Sequence, residues 1–298
     1  MVMSEPIVVG TDGSPAAGRA VEWAAAEAAR YGRGLRIVHA GDRRHGLPAG
    51  LPPETAEAIS PRGREILDGA ARAARAARPD LEVTTELVPE PPVRALREES
   101  ARAFEVVVGH RGLGGFTGLL LGSTGLGVAD RAEGPVVVVR GGLGDGAGAG
   151  AGVGAGPARN EVVAGIDLTE FSAVVLEYAF EAAARRSARL RIVHAAPVIE
   201  TIIEAGHAAA AAETDEVVRE TVAEFATPWR EWHPGLELVE AVPLVHPVQA
   251  LVDASREAVL LVTGAHERAP RRSARVGSVA HGVIHHAACP VAIVHPRG

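Results

Sequence analysis

Short apolar runs alternate with longer alanine-rich or amphipathic stretches along the whole chain. Residues 6–11 form one such run, and it ends in Gly10-Thr11-Asp12-Gly13-Ser14-Pro15, the composition of a strand passing into a turn. Ser14 stands where an N-cap is needed and Pro15 where a helix would begin. A helix is therefore predicted over 16–31, with Val21, Ala24 and Ala25 on one face. A strand over 35–40 follows, then a helical region over 54–78 interrupted near Ser60-Pro61, and a strand over 81–88. A helix over 92–102, a valine-rich strand over 104–109, a helix over 122–131 and a strand over 135–140 close the pattern. Apolar strands alternating with helices predict an α/β fold: a mainly parallel sheet covered on both faces and joined by right-handed crossovers.

The second half repeats this order at one fixed offset. Ile7-Val8-Val9-Gly10-Thr11-Asp12 returns 155 residues later as Val162-Val163-Ala164-Gly165-Ile166-Asp167, and Leu35-Arg36-Ile37-Val38-His39-Ala40 returns unchanged from Leu190 to Ala195. Pro92-Val93, Gly109, Gly122-Ser123 and Pro135-Val136 map by the same shift onto Pro247-Val248, Gly264, Gly277-Ser278 and Pro290-Val291. An offset that never drifts marks a duplicated domain. The copies are expected over 1–140 and 161–298, with helices over 173–186, 213–232 and 247–256 in the second. Between them, 141–160 is a Gly/Ala tract with the composition of a flexible linker. Residues 150–155 formally satisfy GxGxx(G/A), but no helix follows, which argues against a dinucleotide loop.

Composition narrows the chemistry. A chain of 298 residues divided in this way leaves each copy large enough to bury its own core. The single Cys289 cannot make an intramolecular disulfide and agrees with a reducing compartment. The start shows no signal-peptide pattern and no run of 18 apolar residues occurs, so a cytoplasmic protein without a membrane partner is expected. A net charge of −7 offers no global attraction for nucleic acid. All 30 basic residues are arginine, which removes Schiff-base chemistry and the P-loop lysine together.

One constellation carries chemistry. Gly109-His110-Arg111-Gly112 follows the fourth predicted strand, and nine residues later Gly122-Ser123 opens a helix. Glycine lets backbone approach a ligand closely, and a helix N-terminus offers amides and about half a positive charge to phosphate. Asp12, at the end of the first strand, would share the crevice at the point where the strand order reverses, placed for ribose hydroxyls. His39 and Ala40 could bound an adenine. The alternative for Asp12 and Asp167 is an Asx turn, for the three glycines tight turns, and for Ser123 a helix cap.

These residues resemble the universal stress protein family in its tandem form. The family pattern G-x2-G-x9-G-(S/T) is met by Gly109, Gly112, Gly122 and Ser123, together with Gly10-Thr11-Asp12-Gly13-Ser14 and the closing valines 136–139. The resemblance spans both copies. It implies two doubly wound, Rossmann-like domains, each a five-stranded sheet of order 3-2-1-4-5, paired through their last strands as a pseudo-dimer, with homodimers as a further expectation. It also implies ATP, accompanied by Mg, in a stress-response or signalling role. Carried onto this chain, the nucleotide residues are Asp12, Ala40, Val108, Gly109, Arg111, Gly112, Gly122, Ser123 and Thr124. Thr124 replaces an apolar residue frequent in the family.

In the second copy Asp167, Gly264, Gly277 and Ser278 keep the spacing, but Glu267 replaces the second glycine. A carboxylate there would repel phosphate, although Arg268, Arg271, Arg272 and Arg275 could offset it. The first copy is therefore expected to bind ATP and the second weakly or not at all. A slow ATPase and a nucleotide-free scaffold are the competing readings, the first opposed by the lack of lysine and of a paired-acid site. His281 and His285, at i, i+4 with His286 adjacent, have metal-ligand spacing without a completing ligand. Trp229 and Trp232 are expected to pack a helix against the sheet.

Overall fold

The computed structural model describes residues 5–41, 61–112, 122–140, 160–265 and 276–295, apart from the side chain of residue 200. The chain divides into two compact units between Gly141 and Gly142. The linker over 141–159 and the GxGxx(G/A) match lie outside the described residues.

In the first unit β1 (Ile7–Gly10), α1 (Pro15–Tyr31), β2 (Leu35–Ala40), α2 (Pro61–Ala77), β3 (Val83–Val88), α3 (Pro92–Ser100), β4 (Glu105–Gly109), α4 (Ser123–Arg131) and β5 (Val136–Val139) alternate. Its strands lie in the order β3-β2-β1-β4-β5, and every pairing is parallel. The order reverses between β1, which pairs on one side with β2, and β4 on its other side. Ile7, Val8, Val9, Val106, Val107 and Val136 to Val138 are almost wholly buried, as strands covered by helices on both faces must be.

The second unit repeats the plan with β6 (Glu161–Gly165), α5 (Ser172–Arg186), β7 (Arg189–Val193), α6 (Pro197–Glu204), α7 (Ala208–Trp232), β8 (Leu238–Ala241), α8 (Pro247–Ala254), β9 (Leu260–Gly264), α9 (Ser278–His286) and β10 (Val291–Val294). Its order is β8-β7-β6-β9-β10, again all parallel. The fold is thus two doubly wound α/β units of order 3-2-1-4-5.

The duplication extends to individual contacts. A Cβ on Gly10 would stand 2.7 Å from Leu96 Cδ1, and one on Gly165 2.8 Å from Leu251 Cδ1, so the same helix closes on the first strand in both units. Ser100 Oγ accepts from the Glu133 N–H at 2.9 Å and Ser255 Oγ from the Ala288 N–H at 2.8 Å. Ser14 caps α1 by accepting from the Ala17 N–H at 3.2 Å, with Pro15 in the first turn, as its sequence implies.

The second helical region of the first unit resumes at Pro61, where an interruption was expected, and 54–60 lie outside the described residues. Two features differ from expectation. In the second unit α6 was not anticipated, and α7 starts at Ala208 rather than 213, since its alanine run favours helix without an apolar periodicity to mark it. Trp229 stacks on Phe180 of α5, with ring centroids 6.4 Å apart, and Trp232 is 74% exposed near the end of α7. Trp229 thus packs on a helix, and the exposure of Trp232 departs from the packing expected of it.

Candidate functional site

The ends of β1 and β4 meet at the reversal of strand order in the first unit. Thr11 is buried and its N–H donates to the Val38 carbonyl at 2.9 Å, which carries the β1–β2 ladder one step past the strand. The chain then turns: Asp12 Oδ1 accepts from the Ser14 N–H at 2.9 Å, and Gly13 takes φ +80, a left-handed conformation that suits glycine. The Asx turn aims the other carboxylate oxygen at the β4 loop. A Cβ on Gly112 would lie 2.5 Å from Asp12 Oδ2, closer than any real side chain could sit.

Gly109 has a different partner. A Cβ there would stand 2.8 Å from the carbonyl carbon and oxygen of Ala16, so the end of β4 presses on the first turn of α1. Packing alone therefore accounts for a glycine at 109. The Gly122 N–H donates to the His110 carbonyl at 2.7 Å, which ties the start of α4 to the β4 loop and occupies that amide. Gly122 itself is the extended N-cap of α4, at φ −77 and ψ 150, without a side-chain cap. The first-turn amides, beginning with those of Ser123 and Thr124, have no intrahelical acceptor by helix geometry. Ser123 is exposed, Thr124 half-buried, and Arg111 and Gly112 are exposed beside them. Val108 is buried and pairs with Val138, while Ala40 is half-buried at the end of β2 opposite Val88.

The side of the crevice toward β2 is framed by groups that carry no motif. His39 Nδ1 donates to the Thr11 carbonyl at 2.7 Å. Because the acceptor is a carbonyl, that nitrogen carries the proton. Gly63 of α2 lies so close that a Cβ there would meet His39 Cδ2 at 3.0 Å and Leu87 Cδ1 at 2.9 Å, and Ile66 covers Gly13. Nothing in the sequence marks Gly63 or Ile66, whose place follows from helix register alone.

The second unit keeps the frame and changes the loop. His194 Nδ1 donates to the Ile166 carbonyl at 3.1 Å, the counterpart of the His39 bond. Gly277 caps α9 in the extended conformation, with Ser278 exposed after it. Asp167 Oδ1, however, accepts from the Thr169 N–H at 3.1 Å, the Thr169 hydroxyl at 2.6 Å and the Ser172 hydroxyl at 3.1 Å. Helix α5 starts at Ser172, two positions later than the 155-residue shift of Pro15 would give, and a Cβ on Gly264 would meet only Val175 Cγ2 at 3.3 Å. Leu168 holds φ 59 where the first unit has Gly13. A left-handed non-glycine residue costs about 1–2 kcal/mol. Leu168→Gly is accordingly expected to stabilise the second unit by about 1 kcal/mol, read as a rise in its urea midpoint at unchanged slope; a lower midpoint would show that the leucine side chain matters more than its backbone. Glu267 and the arginines at 268, 271, 272 and 275 lie outside the described residues.

His110 is the functional-site residue for which the sequence suggested no role. It is 5% exposed, and its Nδ1 has no hydrogen-bond partner among the described residues. Burial first, then the guanidiniums of Arg140, Arg111 and Arg19, push its pKa below the usual histidine value, against a backbone hydrogen bond at Val139 that raises it. A depressed histidine binds fewer protons folded than unfolded as pH falls through about 6.5, so its contribution to stability is present above that value and lost below it. His110→Gln is expected to flatten the loss of thermal stability between pH 8 and pH 5.5, and an unchanged slope would contradict this.

Other candidates stay apart from the crevice chemistry. His281 and His285 have ring centroids 4.6 Å apart, and among the described residues no group of three or more His, Cys, Asp or Glu side chains could hold a metal. Among the same residues no helix is long and apolar enough to cross a membrane.

Comparison with known proteins agrees with this architecture. The model of the universal stress protein family matches residues 3–140 and again 159–295. A universal stress protein of Mycolicibacterium smegmatis is 32% identical over 296 residues, 98% of this chain and 97% of its own length. Universal stress protein Rv2623 of Mycobacterium tuberculosis is 32% identical over 294 residues, 96% of this chain and 95% of its own. The crystal structure of a universal stress protein from Archaeoglobus fulgidus matches with a TM-score of 0.71 at 18% identity, covering 99% of both chains. With two family matches laid over two units of the same strand order, the chain belongs to the universal stress protein family as a tandem of two such domains.

Proposed function

We propose that the first domain binds an adenine nucleotide, ATP accompanied by Mg, in a stress-response or signalling role, and that the second binds it weakly or not at all. The observation that carries this reading is the approach of Gly112 to the Asp12 carboxylate, within 2.5 Å of where a Cβ would stand. It brings the Asp12 carboxylate, which would accept from ribose, beside Gly112 at the strand-order reversal, where the first-turn amides of Ser123 and Thr124 could meet phosphate. Asp12 would accept from ribose hydroxyls, Ala40 and Val108 would lie toward the base, and Gly109, Gly112, Gly122, Ser123 and Thr124 would line the phosphates with Arg111. Among the described residues no group of three or more His, Cys, Asp or Glu side chains could hold a metal, so Mg would travel on the triphosphate.

The asymmetry rests on two differences. A residue with a Cβ at position 267 could not adopt the arrangement of Gly112, and Glu267 would add a like charge to Asp167. Asp167 Oδ1 already accepts three hydrogen bonds from its own loop. Residual binding there would rely on Gly264, Gly277 and Ser278.

Mass spectrometry of ligand released by denaturing the purified full chain, with thermal shift on adding Mg-ATP, tests the reading. An adenine nucleotide and a raised unfolding temperature are expected. Neither would be seen for a scaffold, and ADP release at about 1 s⁻¹ or faster would make the protein an enzyme.

A further inference from the structure

Three arginines of the first domain stand around His110, and only Arg111 lies within the glycine pattern. Gly109 pairs with Val139 in register, and the His110 N–H donates to the Val139 carbonyl at 3.0 Å, so His110 and Arg140 leave adjacent strands side by side at the C-terminal edge of the sheet. Arg19 lies three residues after Ala16, the residue on which Gly109 packs. Helical side chains tilt toward the N-terminus of their helix, which for α1 is the same edge of the sheet. The Arg19 Nε is buried and, like His110 Nδ1, has no hydrogen-bond partner among the described residues. Arg111, Arg140 and Arg19 all lie close enough to act electrostatically on the imidazole. The buried Arg19 Nε–H is a donor without an acceptor among the described residues, a costly arrangement that an anion among these guanidiniums would relieve.

The second domain does not repeat this group at the equivalent positions: 155 residues on from Arg19, His110, Arg111 and Arg140 it carries Val174, Ala265, His266 and His295.

We propose that Arg19, Arg111 and Arg140, with His110 between them, form a second anion subsite that takes the terminal phosphates of a nucleoside polyphosphate, so that the first domain selects triphosphate over monophosphate. The proposal rests on the nucleotide reading above. A helix N-terminus supplies about half a charge, enough to seat one phosphate, whereas a triphosphate carries several charges spread along a chain that must be met farther out. Arginine forks suit phosphate oxygens, and their attraction strengthens where water is displaced.

Calorimetric titration of the full chain with ATP and with AMP, both with Mg, tests this in the wild type, Arg19→Gln and Arg140→Gln. The wild type should bind ATP at least about tenfold more tightly than AMP, a difference of about 1.4 kcal/mol. Arg19→Gln should lose most of that preference while its AMP affinity stays within about twofold, which also shows that the variant is folded. Arg140→Gln should act in the same sense. Equal wild-type affinity for ATP and AMP, or a loss in Arg19→Gln that is the same for both, overturns the subsite and leaves the nucleotide reading standing. Binding of neither nucleotide by the wild type overturns both.

Discussion

Gly112→Ala is expected to weaken ATP binding by the full chain about 100-fold, a loss of about 2.7 kcal/mol, with little change in unfolding temperature. The added methyl would lie 2.5 Å from Asp12 Oδ2, so either the loop retreats or the carboxylate swings aside. Each movement would separate Asp12, the proposed ribose acceptor, from the proposed phosphate donors, and a crevice that must hold both ends of one ligand would lose its preorganisation. Stability should change little because Gly112 is exposed at the tip of the strand and a retreating loop meets solvent. Titration with ATP reads the effect. Affinity within twofold of the wild type would mean that the Asp12–Gly112 approach has no part in binding.

Gly109→Ala is expected to act on stability instead, and far more than its copy. A methyl at 109 would stand 2.8 Å from the Ala16 carbonyl group, and backbone at the start of a helix cannot yield as a side chain does. Overpacking of this kind costs roughly 1–3 kcal/mol. At Gly264 the nearest atom is Val175 Cγ2 at 3.3 Å, a side chain with room to adjust, so Gly264→Ala should fall within about 0.5 kcal/mol of the wild type. Urea unfolding of the two variants makes the comparison. Equal losses would show that the later start of α5 leaves the second domain packed as tightly as the first.

These two glycines also show how far the sequence carries. The alternation of apolar runs and helices, with the unbroken 155-residue offset, was enough for a parallel α/β sheet in each of two copies, because buried parallel strands must be apolar throughout and crossovers have one hand, whereas the order 3-2-1-4-5 was implied by the family resemblance. Ser14-Pro15 was legible as a helix start for the same local reason. The glycine spacing pointed to the crevice, yet it could not separate Gly109, which packs on α1, from Gly112, which faces Asp12, since that depends on where a helix lies in space. The later start of α5 and the left-handed Leu168 were hidden likewise: the copies keep equal length, and the change is one of hydrogen bonding within the loop. His110 and Arg140 come side by side only through the register of β4 with β5. No spacing in the chain encodes that meeting.

The central claim is that one domain binds nucleotide and the other does not do so comparably. Calorimetric titration of Mg-ATP into the full chain, beside Asp12→Ala and Asp167→Ala, tests it most directly. The account predicts about one site per chain, the sum of a filled and an empty crevice, with binding removed by Asp12→Ala and unchanged by Asp167→Ala. Two sites of equal affinity, each variant abolishing one, would contradict it.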